Sequence, residues 1–111
     1  MSHTELTLNE YSLLAKGTAV FPEAHGEQYL TLGLTSEVGE LTGKIAKYYR
    51  KDQEGDFPLS AVLDELGDVL WFVALLADFY GSDLATVAKT NINKLADRKA
   101  RGVLKGSGDN R

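Results

Sequence analysis

The spacing of apolar residues along the chain predicts an all-α protein built from four helices. Between residues 27 and 50, apolar side chains recur at steps of three and four, the period of an amphipathic helix. Over residues 59–80 the apolar positions extend around most of a predicted helix, and Trp71 and Phe72 widen the face. Because such a helix needs cover on several sides, we expect a four-helix bundle that is completed by homo-oligomerisation.

Capping residues set the ends of the other two helices. Thr7 and Glu10 have the spacing of a capping box, so a first helix is predicted over residues 8–19. A fourth helix is predicted over residues 84–100, with Asp83 or the serine before it as the N-cap. Gly81 can end the third helix in a left-handed conformation.

Glycine and proline mark the connections and one unusual helix. Polar stretches that contain these residues predict loops at residues 20–26 and 51–58 and an irregular tail over residues 102–111. Within the second helix, three glycines each weaken the helix by about 1 kcal/mol relative to alanine. We therefore expect close neighbours on the faces where they lie: Gly33, Gly39 and Gly43.

The length and composition are those of one domain over residues 1–111. The chain contains no cysteine, which removes disulfides and gives no sign of an oxidising compartment, so a cytoplasmic protein is expected. The longest apolar run, residues 69–77, is far shorter than the roughly 20 residues that span a bilayer. The N-terminus lacks a signal pattern, and we expect no membrane partner.

The charged residues are distributed unevenly along the chain. Residues 1–88 carry five Lys and Arg against fourteen Asp and Glu, whereas residues 89–111 carry seven against two. A nucleic-acid-binding face needs Lys and Arg dispersed over a surface, so we expect no nucleic-acid partner. An acidic body joined to a basic end instead suits a small anion held between metal ions and basic side chains.

Two acidic pairs have the same spacing on successive predicted helices. Glu37 and Glu40 are three residues apart, Glu65 and Asp68 repeat that spacing, and 24 residues separate the pairs. Residues at i and i+3 share a helix face, and a short loop makes two helices antiparallel neighbours, so the four carboxylates can converge. One such pair alone is commonly a solvated face, but two pairs within apolar runs need protons or a multivalent cation. The oxygen ligands favour Mg²⁺, with Mn²⁺ as a substitute.

Basic residues on the fourth helix supply a possible counterpart. Asn91, Lys94 and Arg98 lie at i, i+3 and i+7 on one helix face, an arrangement that suits a polyphosphate. The alternative is a solvated basic helix end that complements the helix dipole. Lys44 could bind phosphate or pair with Glu40 four residues before it, and we favour the pair.

Three stretches of the sequence carry a family resemblance. They are LGLTSEVGEL at residues 32–41, LDELGDVLWFVALLA at residues 63–77 and NINKLADRKARG at residues 91–102. With its E-x-x-E and E-x-x-D pairs, the chain resembles the MazG-like nucleotide pyrophosphohydrolases of the all-α NTP pyrophosphatase superfamily over nearly its entire length. Ser36 stands where many members have a further acid, which leaves the role of such an acid open.

The resemblance implies a reaction. It implies hydrolysis of nucleoside or deoxynucleoside triphosphates to the monophosphate and pyrophosphate, for cleansing or balancing the nucleotide pool. It also implies a homodimer or homotetramer, phosphate binding by Lys94 and Arg98, and Mg²⁺ binding by four acids: Glu37, Glu40, Glu65 and Asp68. One of the first two, with Glu37 favoured, could orient or deprotonate the attacking water.

The base is left open, with dGTP as one candidate. Trp71 could stack on a base, although an aromatic residue on an apolar helix is more often part of the core. A second hypothesis is a non-catalytic helical module in which the acids bind a structural cation or a basic partner. If the three residues on the basic face of the fourth helix point away from the carboxylates, the enzyme hypothesis loses its substrate clamp.

Overall fold

The computed structural model describes residues 5–52 and 54–111, and these ranges fold into helices without a strand. The predicted all-α class with four helices is therefore confirmed. A single 3₁₀ turn, Glu23–His25, precedes the second helix. The four helices are α1 (Leu8–Lys16), α2 (Gly26–Arg50), α3 (Leu59–Phe79) and α4 (Leu84–Ala100).

The predicted capping box at the start of α1 is present. The Glu10 backbone N–H donates to Thr7 Oγ1 at 3.1 Å, and the Thr7 N–H donates to the Glu10 carboxylate at 3.2 Å. The predicted end at residue 19 is wrong, because α1 ends at Lys16. The backbone N–H and the hydroxyl of Thr18 both donate to the Ala15 carbonyl, at 3.0 and 2.7 Å, which closes the helix early.

The turn between α3 and α4 follows the sequence prediction closely. Gly81 has a φ of 77°, and the Ser82 N–H donates to the Ala77 carbonyl at 2.8 Å, the pairing of a Schellman motif. Of the two candidate caps for α4, Asp83 accepts from the Thr86 N–H at 2.8 Å. The hydrogen bond to this backbone group lowers the pKa of Asp83 below its ordinary value.

Helices α2 and α3 form the antiparallel centre of the fold. Leu30 near the start of α2 packs with Leu75 near the end of α3, and Tyr48 near the end of α2 meets Phe57 just before α3. A Cβ on Gly33 would lie 2.2 Å from the Phe72 ring, so the predicted close neighbour is confirmed there. Within one chain the other two glycines of α2 have no such neighbour, since no described atom from outside the adjacent helix backbone lies within 4 Å of the Cβ position.

Helix α4 is attached mainly at its first turn. Leu84 is buried with Ala15 of α1 and Ala74 of α3, whereas every residue from 85 to 97 is partly or largely exposed. Apolar side chains remain uncovered on α2, α3 and α4, for example Leu32 at 71%, Leu63 at 55% and Ile92 at 63% exposure. The radius of gyration is 17.1 Å, against about 13 Å for a compact domain of this length. One chain thus leaves an extended apolar surface.

Among the described residues, no helix is both long and apolar enough to cross a bilayer.

Candidate metal centre

The antiparallel pairing of α2 and α3 brings three of the four predicted acids together. Glu37 on α2 faces Glu65 and Asp68 on α3, and one carboxylate oxygen of each lies within 4.8 Å of the others. Glu37 and Glu65 are partly buried, while Asp68 is exposed. The three carboxylates form a small acidic centre that is open to solvent on the Asp68 side.

Glu40 lies beside this centre rather than in it. Three residues of an α-helix correspond to about 300° of rotation, so Glu40 is offset from Glu37 by about 60° around α2. Its exposed side chain lines a separate cavity of about 480 Å³, together with Ser36, Lys44, Lys47 and two glycines of α2. The structure therefore groups three acids closely and leaves the fourth one turn away on the surface.

The acidic centre is electrostatically unfavourable without a cation. Glu37 Oε2 and Glu65 Oε2 are buried, and neither has a hydrogen-bond partner among the described residues. Burial raises the pKa of Glu37 to about 6, and the neighbouring carboxyl of Glu65 and repulsion from Glu40 and Asp68 act in the same direction. Carboxylates that repel each other in this way bind a proton or a multivalent cation.

Lys44 supplies a nearby positive charge, but not to the residue that we predicted. Its ammonium nitrogen lies 3.6 Å from Glu65 Oε1, and the expected pair with Glu40 is wrong. Glu65 is only 13% exposed, whereas Glu40 is on the surface, and attraction between charges is stronger where less water screens it. One ammonium group beside three carboxylates leaves a negative centre.

The residues of this centre fit a divalent metal ion. All the available donors are carboxylate oxygens, which Mg²⁺ and Mn²⁺ prefer. The strongest indication is the pair of buried oxygen atoms for which residues 5–52 and 54–111 provide no hydrogen-bond partner, because a cation would satisfy both. The exposed side at Asp68 leaves space for water and phosphate oxygens.

A second cavity, of about 350 Å³, adjoins the acidic centre. Trp71 lies one helical turn after Asp68, and its indole nitrogen donates to Thr18 Oγ1 at 2.7 Å. Sequence reasoning missed Thr18 and Tyr29, since neither stands in a distinctive pattern. The lining residues are Thr18, Tyr29, Glu37, Asp68, Trp71 and Phe72.

The basic residues of α4 meet the C-terminal tail instead of the carboxylates. Arg98 donates to Asp109 at 2.9 Å and Lys94 does so at 3.3 Å, and together they lower the pKa of Asp109. The Arg98 side chain is only 5% exposed. Asn91 is exposed on the same helix, and α4 packs against α1 and α3 but not against α2 within the described residues. A single chain does not bring this basic face to the acidic centre.

Comparison with known proteins agrees with the acid pattern. Residues 25–103 match the MazG nucleotide pyrophosphohydrolase domain. The chain is also 46% identical over 112 residues to the Gene 37 protein of Mycobacterium phage L5, covering 91% of this chain and 96% of that protein. No solved structure matches the chain. The chain belongs to the MazG family.

Proposed function

We propose that the protein hydrolyses nucleoside or deoxynucleoside triphosphates between the α and β phosphates, releasing the monophosphate and pyrophosphate. The observation that carries this proposal is the acidic centre of Glu37, Glu65 and Asp68, in which two buried carboxylate oxygens have no hydrogen-bond partner in the part of the chain that the structure describes. Membership of a nucleotide pyrophosphohydrolase family supports the reaction class. Removal of unwanted nucleotides, or balancing of the pool, is the purpose that fits such a reaction.

The three clustered acids would hold Mg²⁺ or Mn²⁺, and Glu40 would join them by rotating its exposed side chain. When bound, the ion neutralises charge on phosphoryl oxygens and makes water more acidic. Glu37 could instead orient or deprotonate the attacking water, in which case the remaining acids would hold the ion.

The substrate would contact both the acidic centre and the basic residues of α4. Lys94, Arg98 and Asn91 would bind the phosphates, with Lys44 close to the acidic centre, and Trp71 would contact the base. Because α4 and α2 make no contact in the described part of one chain, we propose that a homodimer or homotetramer brings the basic face of one copy to the acids of another. The exposed apolar residues on α2, α3 and α4 are consistent with such an assembly.

The decisive experiment is a turnover assay with all eight common NTPs and dNTPs and identification of the products. We expect pyrophosphate and a monophosphate from at least one substrate with Mg²⁺. Glu40→Gln and Asp68→Asn should abolish turnover while circular dichroism shows a folded protein. Release of orthophosphate alone by the wild type would contradict the proposal.

The same protein samples distinguish the non-catalytic alternative. Under that hypothesis, Mg²⁺ raises the melting temperature because it binds the folded state, but no nucleotide in the panel is hydrolysed. Turnover of any nucleotide would exclude that hypothesis, and reversible loss of turnover in EDTA while circular dichroism still shows a folded protein would exclude a purely structural cation.

A further inference from the structure

We propose that Thr18 is a positioning residue that holds the indole of Trp71 as one wall of a nucleoside-binding cavity beside the acidic centre. This inference rests on the proposed function and deepens it, because it assigns the nucleoside part of the substrate to the 350 Å³ cavity. The ligand class is a purine or pyrimidine nucleoside whose phosphates extend toward the carboxylates.

Two hydrogen bonds fix the Thr18 hydroxyl. It donates to the Ala15 carbonyl at 2.7 Å, which leaves its lone pairs available to accept from Trp71 Nε1, also at 2.7 Å. The end of α1 is thereby tied to the side chain of α3 that stands next to Asp68. The indole packs against the buried core on one side and donates its N–H to Thr18, so it keeps one orientation. An aromatic group that is already oriented binds a ligand with less loss of entropy.

The chemistry of the cavity divides into two parts. Trp71, Tyr29 and Phe72 give it aromatic walls, and Glu37 and Asp68 lie at its edge. The three rings are neighbours. The ring centroids of Tyr29 and Phe72 are 5.9 Å apart, and those of Phe72 and Trp71 are 4.9 Å apart in an edge-on arrangement. A flat base suits the aromatic part, because stacking on aromatic rings recognises the π-face of any base. The acidic edge is where a cation would meet the phosphates.

Three substitutions separate positioning from a general structural effect. Thr18→Val has nearly the same shape but cannot accept the indole hydrogen bond, and Thr18→Ser retains the hydroxyl. Thr42→Val is the matched control. The Thr42 hydroxyl also donates to a backbone carbonyl a few residues earlier, that of Val38 at 2.9 Å, but Thr42 does not line this cavity.

Trp71 is the single tryptophan, so intrinsic fluorescence reports directly on the cavity. Without nucleotide, Thr18→Val should change the emission maximum and increase acrylamide quenching, whereas Thr18→Ser and Thr42→Val should match the wild type. The four deoxynucleoside monophosphates serve as probes, and at least one should alter the wild-type emission. For the hydrolysed substrate, Thr18→Val should raise KM about three- to fivefold, the size of one modest hydrogen bond, with kcat nearly unchanged.

Trp71→Phe provides a second route if Thr18→Val does not fold. The phenyl ring has no N–H to donate, so this variant should raise KM similarly, and adding Thr18→Ala, which removes the accepting hydroxyl, should cause no further change. Emission, probe response and KM of Thr18→Val that all equal those of Thr42→Val would overturn the positioning role. Turnover with no response of Trp71 to any probe or substrate would overturn the nucleoside cavity. Absence of turnover across the panel would instead refute the proposed reaction, and the emission of the nucleotide-free variants would still decide the role of Thr18.

Discussion

The acidic centre between α2 and α3 and the basic end of α4 are both charged clusters, but a single chain assembles them differently. Glu37, Glu65 and Asp68 converge, and two of their buried oxygens have no hydrogen-bond partner within the described ranges, so this cluster carries excess negative charge. Lys94 and Arg98 already have an anion, because Asp109 of the tail contacts both. The acidic centre can bind a cation directly, whereas Lys94 and Arg98 can bind a phosphate only after it displaces the Asp109 carboxylate.

The largest expected effect comes from removing a charge at the acidic centre. Glu65→Gln keeps the shape of a partly buried side chain but removes its negative charge. It should lower turnover by more than about 100-fold, because loss of a residue that only orients a metal ligand already lowers activity by about 10- to 100-fold. The rise in melting temperature with Mg²⁺ should also disappear. The matched control is Asp64→Asn, which removes a carboxylate from an exposed neighbouring position. Equal losses in the two variants would show that net charge, rather than the cluster, is responsible.

Removing the basic pair should have the next largest effect. Arg98→Lys retains the charge but loses the planar fork, and Lys94→Ala loses a point charge. Charge-assisted hydrogen bonds contribute about 1.5–3 kcal/mol, so each should lower kcat/KM by about 10- to 100-fold. Lys89→Ala, an exposed lysine on the same helix, is the control and should retain activity. Normal kcat/KM in both Arg98→Lys and Lys94→Ala would show that α4 does not bind the phosphates.

The tail carboxylate should have a smaller effect in the opposite direction. If phosphate displaces Asp109 from Lys94 and Arg98, Asp109→Asn weakens the competing contact. It should lower KM about three- to fivefold, a modest effect because the Asp109 carboxylate itself is 79% exposed to water. Steady-state kinetics measure this change directly. A higher KM would mean that Asp109 holds the basic residues in a productive position rather than competing.

The features that the sequence could predict are those that depend on neighbouring residues or on helical periodicity. Local signals fixed the helices, because the Thr7 capping box, the glycine after α3 and the Asp83 cap act within a few residues. The convergence of Glu37 with the α3 acids was also predictable, since periodicity and a short loop determine which faces of two antiparallel helices meet. The close approach of Phe72 to Gly33 was predicted from the glycine itself, although the same argument did not distinguish Gly33 from Gly39 and Gly43.

The other features depend on contacts distant in sequence. The Asp109 contact with Arg98 requires the glycine-rich tail to fold back on α4, and the tail has no periodic pattern. Thr18 acquires its role only where the end of α1 meets Trp71, 53 residues later. The contact between Lys44 and Glu65 was not predicted, because helical spacing does not show how deeply a carboxylate is buried.

The smallest expected effect tests the electrostatic imbalance of the acidic centre itself. Because the pKa of Glu37 is raised from 4.5 to about 6, the folded state binds more protons than the unfolded state in this interval. The free energy of unfolding contributed by Glu37 is therefore highest below pH 4.5 and declines as the pH rises through about 6. In EDTA, the melting temperature of the wild type should fall by about 2–5 °C between pH 5 and pH 7, relative to Glu37→Gln.

Comparison with Glu37→Gln is needed because other groups titrate in the opposite sense. Hydrogen bonds to Arg50 and to the Thr86 N–H lower the pKa values of Asp52 and Asp83, so their stabilising contributions are lost as the pH falls rather than as it rises. Only the difference between wild type and variant isolates Glu37. Mg²⁺ should abolish that difference at pH 7, since a bound cation replaces the proton. If the melting temperature of the wild type instead rises from pH 5 to pH 7 in parallel with that of Glu37→Gln, the three carboxylates do not repel each other in the folded protein. The acidic centre would then not differ from the basic pair, whose charge Asp109 neutralises.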